Sequence, residues 1–160
     1  MHYYIDGYNW LFRIPKNRQS LEERRRIFIQ EIHKLVLDHP SLVTLVFDSA
    51  DPSKELSSKG NFKSLEIIFT PKKQTADEYI ENAVELSKKP KNITVVTLDR
   101  QLQEKCRIRG ARVLTMEEFY LLFAKKKKVQ KEKSYFELPA QTARLLRIFE
   151  KKWLDDLSDE

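Results

Sequence analysis

The sequence predicts an α/β fold, a sandwich of helices around a mainly parallel sheet. Three observations carry this expectation. The strand candidates are short and continuously apolar rather than alternating, the pattern of strands covered on both faces. Segments that open with helix-capping signatures lie between most of them. The order along the chain is therefore strand, helix, strand, long loop, strand, helix, strand, helix, strand, helix.

The first strand is HYYI (2–5), and it stops abruptly at Asp6, Gly7, Tyr8 and Asn9, residue types that also build turns. Ser20 with Glu23 opens the first helix, where Leu21, Arg24, Ile27, Phe28, Ile32, Leu35 and Val36 recur at helical spacing until Pro40 stops it. LVTLVF (42–47) is the second strand, and SADPSKELSSKGNFKS (49–64) reads as a polar loop without a helical stripe. LEIIF (65–69) is the third strand, after which Thr75 with Glu78 opens a helix. ITVVTL (93–98) is the fourth strand, followed by a helix from near Arg100 to Gly110. RVL (112–114) is the fifth, and Thr115 with Glu118 opens a helix at roughly 116–124. The expected organisation is one domain over 1–124, a Lys-rich linker over 125–133 and a C-terminal amphipathic helix within 134–160. In that helix Leu145, Leu146, Phe149, Trp153, Leu154 and Leu157 form one stripe, suited to docking on the body or on a partner.

With 160 residues, 41% hydrophobic and 34% charged, the chain is long enough to bury a core under a charged surface. No apolar run approaches the ~20 residues that span a bilayer, so no membrane role is expected. Cys106 is the only cysteine, which excludes an intrachain disulfide and a zinc–thiolate cluster and fits a reducing cytoplasm. His2, His33 and His39 lack ligand spacing. The net charge of +6 is unevenly placed, because KKKKVQKEK (125–133) carries six Lys against one Glu. Such a run serves either a polyanionic partner or simply a solvated linker.

Three strands end on a carboxylate: Asp6 after the first, Asp48 after the second and Asp99 after the fourth. In an open α/β sheet that edge is where ligands bind. Asp77 lies at the start of a helix, with Glu81 one turn later on the same face. A single strand-end Asp or helix-start Asp is ordinary. Four at one edge repel one another unless a hard cation such as Mg²⁺ or Mn²⁺ takes their oxygens. The position two residues after Asp6 is Tyr8 rather than a second Asp, against an aspartyl-phosphate phosphatase. Three glycines in the whole chain leave no phosphate-cradling or dinucleotide fingerprint. Metal-assisted phosphodiester hydrolysis is the chemistry left standing.

DGYN (6–9), VFD (46–48), TADEYIE (75–81) and VVTLDRQLQ (95–103) resemble, in order and spacing, the YacP-like branch of the NYN domains within the PIN-like nuclease superfamily. The resemblance covers about residues 2–124. It implies a three-layer α/β/α fold with five central strands in the order 3-2-1-4-5. It also implies a ribonuclease site using Mg²⁺ or Mn²⁺, with Asp6, Asp77 and Asp99 as ligands, Asp48 as a fourth acid and Asn9 orienting Asp6 or a water. Members of the family are linked to mRNA turnover, in some cases on ribosomes. Candidate RNA contacts are Arg100, Tyr8, Lys72, Lys73, Lys125, Lys126, Lys127 and Lys128. Some roles stay open: Arg100 could meet phosphate or pair with Asp99, and Tyr8 could stack a base or pack in the core. Thr97 could bond a carboxylate or merely suit a strand.

The leading expectation is a cytoplasmic endoribonuclease acting on single-stranded RNA. The alternatives are a non-catalytic RNA- or ribosome-binding adaptor on the same fold, and a nuclease for single-stranded or flapped DNA. Oligomeric state stays open.

Overall fold

The computed structural model describes residues 1–13, 18–48 and 58–131. Its elements in chain order are β1 (His2–Asp6), α1 (Gly7–Leu11), α2 (Leu21–Val36), β2 (Leu42–Phe47), β3 (Ser58–Phe62), β4 (Leu65–Phe69), α3 (Ala76–Glu85), a 3-10 turn (Pro90–Asn92), β5 (Ile93–Val96), α4 (Arg100–Ile108), β6 (Arg112–Leu114) and α5 (Met116–Lys131). The strands form one sheet in the order β3-β4-β2-β1-β5-β6. All neighbours run parallel except β3, which is antiparallel to β4. The five strands expected from sequence are β1, β2, β4, β5 and β6, and they stand in the expected order 3-2-1-4-5.

The direction of travel across the sheet produces the layers. From β1 through α2 to β2 the chain moves one way, and from β4 through α3 to β5, then α4 to β6, it moves the other. With right-handed crossovers, α2 falls on one face and α3 and α4 on the opposite face. Under α3 and α4 lies a core of Val46, Ala76, Ile80, Val84, Val95, Leu102 and Cys106, with Tyr4, Tyr79 and Val113 packed against it. The Cys106 thiol is pushed up to about 11 by burial, so it is an inert core residue rather than a reactive one. On the α2 side Phe28, Ile32, Leu35 and Val36 are buried, and the buried imidazole of His33 meets the Ser64 hydroxyl at 3.0 Å. His2 is structural too. Its Nε2 lies 2.7 Å from Thr44 Oγ1, which in turn donates to Glu66 across two strands.

Three features depart from the sequence expectation. Part of the loop at 49–64 is β3, the sixth strand, because SKGNF pairs with the apolar β4 although it has no apolar alternation of its own. The turn joining them holds Lys63 at φ 55, a conformation usually left to glycine or asparagine. Second, Gly7–Leu11 forms a short helix, α1, where the sequence shows only turn formers. Third, the helix expected to stop near 124 runs on to Lys131, through most of the Lys-rich segment. Ala and Lys are good helix formers, and no Gly or Pro interrupts 116–131. The expected C-terminal helix within 134–160 lies outside the described residues.

By its contacts the chain divides into two compact units, Met1–Met116 and Glu117–Glu160. The first holds the sheet and the acidic edge. Of the second, the described part is the helical segment to Lys131, in which Phe119, Tyr120 and Phe123 are buried and the Phe119 and Phe123 rings stand 4.6 Å apart. No helix among the described residues is long and apolar enough to cross a membrane.

Candidate active site

Each acid at the carboxyl edge is held by local backbone chemistry. Asp6 closes β1 and caps α1, with its Oδ1 accepting from the Asn9 backbone N–H at 3.3 Å. α1 can start here because residue 7 is glycine: a Cβ at Gly7 would overlap the Phe47 ring. Asp48 follows β2, and its Oδ1 accepts from the Ala76 N–H at 2.6 Å, tying the end of β2 to the start of α3. Thr75 and Glu78 complete a reciprocal capping box on α3, which fixes the first turn that carries Asp77. Asp99 caps α4 by accepting from the Leu102 N–H at 3.0 Å.

These positions converge. Asp6 and Asp77, far apart in sequence, hydrogen-bond through their carboxyls. Burial, then this bond and the charge of Asp77, with a smaller push from Asp48, drive the Asp6 carboxyl up to about 8. Asp77 is raised as well, chiefly by burial and further by the charges of Asp99 and Asp48; its bond from Asp6 and Lys105 act the other way. The two carboxyls thus act on each other, and burial holds both above the ordinary carboxylate range. Asp48 is exposed and Asp99 half-buried, so the pair is the dry part of the site.

Among the described residues, no three acidic, His or Cys groups already stand in a metal-holding arrangement. Asp6, Asp48 and Asp99 each accept from a backbone N–H group, and Asp6 also faces Asp77. The donor set is nonetheless one a hard divalent ion accepts, being all carboxylate oxygen.

The supporting residues take roles that sequence left open. The Asn9 side chain accepts from the Leu98 N–H at 3.2 Å, lashing α1 to the loop that delivers Asp99. The Thr97 hydroxyl accepts from the Asp99 N–H, and its carbonyl accepts from Gln103 Nε2. Thr97 therefore shapes the turn through the backbone rather than through the carboxylate. Tyr8 is buried, its ring edge-on to Phe47 and its hydroxyl accepting from Arg25 at 2.8 Å. Arg100 is exposed in the first turn of α4 and forms no ion pair with Asp99. Lys72 and Lys73 are exposed in the turn between β4 and α3. Lys125, Lys126, Lys127 and Lys128 lie on the backbone of α5, in the second unit.

Sequence reading overlooked Gln103, and it placed Glu81 only as an acid one turn from Asp77 on the same helix face. Glu81 is bound by Lys105 at 2.9 Å and by Arg109 at 2.7 Å, which fastens α3 to α4 one turn from Asp77. The Lys105–Arg109 spacing of four on α4 was the available signal, since it sets two cations on one helix face.

A three-layer sandwich with acids gathered at the carboxyl edge of a 3-2-1-4-5 sheet is the architecture of PIN-like, nuclease-type domains. The chain belongs to the YacP-like NYN domain family, whose profile matches residues 3–159. Crystal structures of Rae1 (YacP) from Bacillus subtilis are similar to it. One aligns with a TM-score of 0.61 at 26% identity, covering 99% of this chain and 97% of that one. Its W164L mutant aligns with a TM-score of 0.60 at 25% identity, covering 89% of each. An uncharacterized protein, YacP, from B. subtilis (strain 168) is 36% identical over 81 residues. That match spans 48% of this chain and 47% of the relative, about half the length of each. Membership sets the chain among the NYN, nuclease-type domains.

Proposed function

We propose that this protein is a divalent-metal-dependent endoribonuclease that hydrolyses single-stranded RNA, with mRNA as its substrate and the ribosome as a partner. The observation that carries the reading is the gathering of four acids at one edge of the sheet: Asp6 at the end of β1, Asp48 and Asp99 just after β2 and β5, and Asp77 in the first turn of α3. Carboxylates brought together in this way favour a cation between them. Asp6, Asp77 and Asp99 would hold Mg²⁺ or Mn²⁺, with Asp48 beside them. When bound, the ion supplies positive charge to the phosphodiester and lowers the pKa of water. Asp6 and Asp77 would hold the ion from the buried side of the site, losing to it the proton that burial otherwise favours. Asn9 keeps Asp6 and the Asp99 loop in register, and Thr97 with Gln103 stiffens the Asp99 turn. Arg100, Lys72 and Lys73 meet RNA phosphates beside the acids, and the Lys run on α5 adds phosphate contacts. The structural likeness to Rae1 across nearly the full chain supports carrying the family's nuclease class to this protein.

The test is incubation of pure protein with end-labelled single-stranded RNA and single-stranded DNA, with Mn²⁺, with Mg²⁺ and with chelator. Internal cleavage of RNA that needs the ion is expected. RNA binding without cleavage under any ion would overturn catalysis in favour of an adaptor, and preferential cleavage of DNA would overturn the substrate.

A further inference from the structure

At the same edge as the acids, on the α2 side, lies a chain of aromatic rings that the proposed chemistry does not use. Phe69 and Phe47, the last residues of β4 and β2, stack with centroids 5.6 Å apart. Tyr8 stands edge-on to Phe47 at 5.0 Å, and Phe12 stacks on Tyr8 at 5.4 Å with the ring planes only 17° apart. The Arg25 guanidinium sits 5.0 Å over the Phe69 ring while it donates to the Tyr8 hydroxyl. Three of these residues belong to the body of the domain. Phe12, at the end of the row, is 62% exposed.

An exposed phenylalanine is common, and alone it means little. This one differs in how it is held. Its backbone N–H bonds the Tyr8 carbonyl at 3.0 Å, closing α1. One face lies on Tyr8, whose orientation is fixed by Phe47 and Arg25. Arg24, buried in α2, donates to the carbonyl of Leu11, the residue before it. Asp6 caps the start of α1 and Phe12 its end, and a five-residue helix rises only about 7.5 Å, so the ring is one short helix from the central acid. Phe47, two rings further in, directly precedes Asp48. A rigid π-face is thus carried on the same element as the central acid, within reach of a nucleotide next to the bond being cut.

We propose that Phe12 is a base-stacking platform, the outer ring of the Phe12–Tyr8–Phe47–Phe69 row, and that it receives a nucleobase flanking the scissile phosphate. The proposal rests on the nuclease reading and adds a subsite to it. Stacking is indifferent to base identity, because every base has a π-face, so the subsite grips single strands without reading sequence. It also selects against duplexes, whose bases are already stacked on one another. Tyr8, the aromatic that sequence alone brings forward as a base contact, is instead the buried support behind the platform.

The experiment measures affinity without turnover, in chelator, by anisotropy of a labelled ten-nucleotide single-stranded RNA. A second chain of equal length and charge carries abasic riboses throughout. The wild type is expected to bind the base-bearing chain roughly ten-fold tighter than the abasic one. In Phe12→Ala most of that preference should disappear through weaker binding of the base-bearing chain, and Phe12→Trp should restore or exceed it. Phe12→Leu keeps the apolar bulk without the ring and should behave like Ala. Melting curves of all three variants should match the wild type, since the ring is largely exposed. Equal discrimination by wild type and Phe12→Ala would overturn the platform while leaving the nuclease reading intact. Equal affinity of the wild type for the two chains would likewise overturn the platform, while the nuclease reading stands or falls on ion-dependent cleavage.

Discussion

The two edges of the sheet carry opposite charge in opposite ways. At the carboxyl edge Asp6, Asp48, Asp77 and Asp99 act on one another, and Asp6 is buried enough to keep a proton to about pH 8. At the amino edge the 3-10 turn lies against the α4–β6 turn, where a Cβ on Gly110 would stand 3.6 Å from Pro90. Around it Lys88, Lys89, Lys91, Arg107 and Arg112 are all exposed, and among the described residues none forms an ion pair. These five cations outnumber the four acids, yet each is solvated and screened. Burial raises the Asp6 and Asp77 carboxyls, whereas the five amino-edge cations face water. Desolvation, not charge count, distinguishes the carboxyl edge.

The comparison breaks most sharply at Asp99. Asp99→Asn keeps a capping side chain but loses the charge for a cation, and cleavage should fall at least ~10²-fold. Its melting temperature in chelator should equal or exceed the wild type, because a repelling carboxylate is gone. Wild-type turnover in Asp99→Asn would reduce Asp99 to a helix cap. Asp99→Ala removes the cap as well and should additionally cost about 1 kcal/mol in denaturant unfolding.

Gly7→Ala tests how the central acid is seated. The added methyl would meet the Phe47 ring, so about 1–3 kcal/mol of stability should be lost together with activity. Unchanged melting would mean that α1 can lift off β2 freely.

A pH titration sharpens the contrast without mutation. Between pH 3.8 and about 8 the unfolded chain has released a proton that folded Asp6 still holds. The folded state therefore binds more protons, and this contribution makes stability fall as pH rises through the window, then level off. In chelator, the melting temperature of wild type relative to Asp6→Asn should drop by several degrees from pH 5 to 8.5. A constant difference between the two proteins would dismiss the raised Asp6 carboxyl.

Smaller effects separate neighbours. Glu78→Ala breaks the reciprocal cap of α3 and should cost about 0.5–2 kcal/mol while metal-saturated cleavage survives. Loss of cleavage without loss of stability would exchange its role with that of Asp77. Least of all, replacing Lys89, Lys91 and Arg107 with Gln should change stability by no more than about 0.5 kcal/mol and leave divalent-ion affinity, read by calorimetry, where it was. A clear fall in ion affinity would show that the two edges communicate.

Much of this was legible in sequence because its signals are local. Continuous apolar runs identified β1, β2, β4 and β5, and S-x-x-E and T-x-x-E placed α2 and α3 to within a residue. The three strand-end acids were visible for the same reason. β3 was not, since Ser58–Phe62 owes its conformation to a partner strand rather than to its own pattern. The helical state of Gly7–Leu11 was hidden because Asp, Gly and Asn favour turns and caps alike. The role of Glu81 needed residues 24 and 28 positions away, and no local pattern encodes such a distance.

β1 is the first strand of the chain and the middle of the sheet, and its neighbours begin at Leu42 and Ile93. During synthesis at roughly 5–20 residues per second, the strand that carries Asp6 waits on the order of 5–20 seconds for β5. Asp99 arrives three residues after β5 ends. A nascent chain short of that point has an unclosed sheet and an incomplete set of acids. The order of elements therefore works as a clock: the arrival of β5 gives β1 its second neighbour and brings the last acid within three residues, and no shorter intermediate holds the whole set of acids.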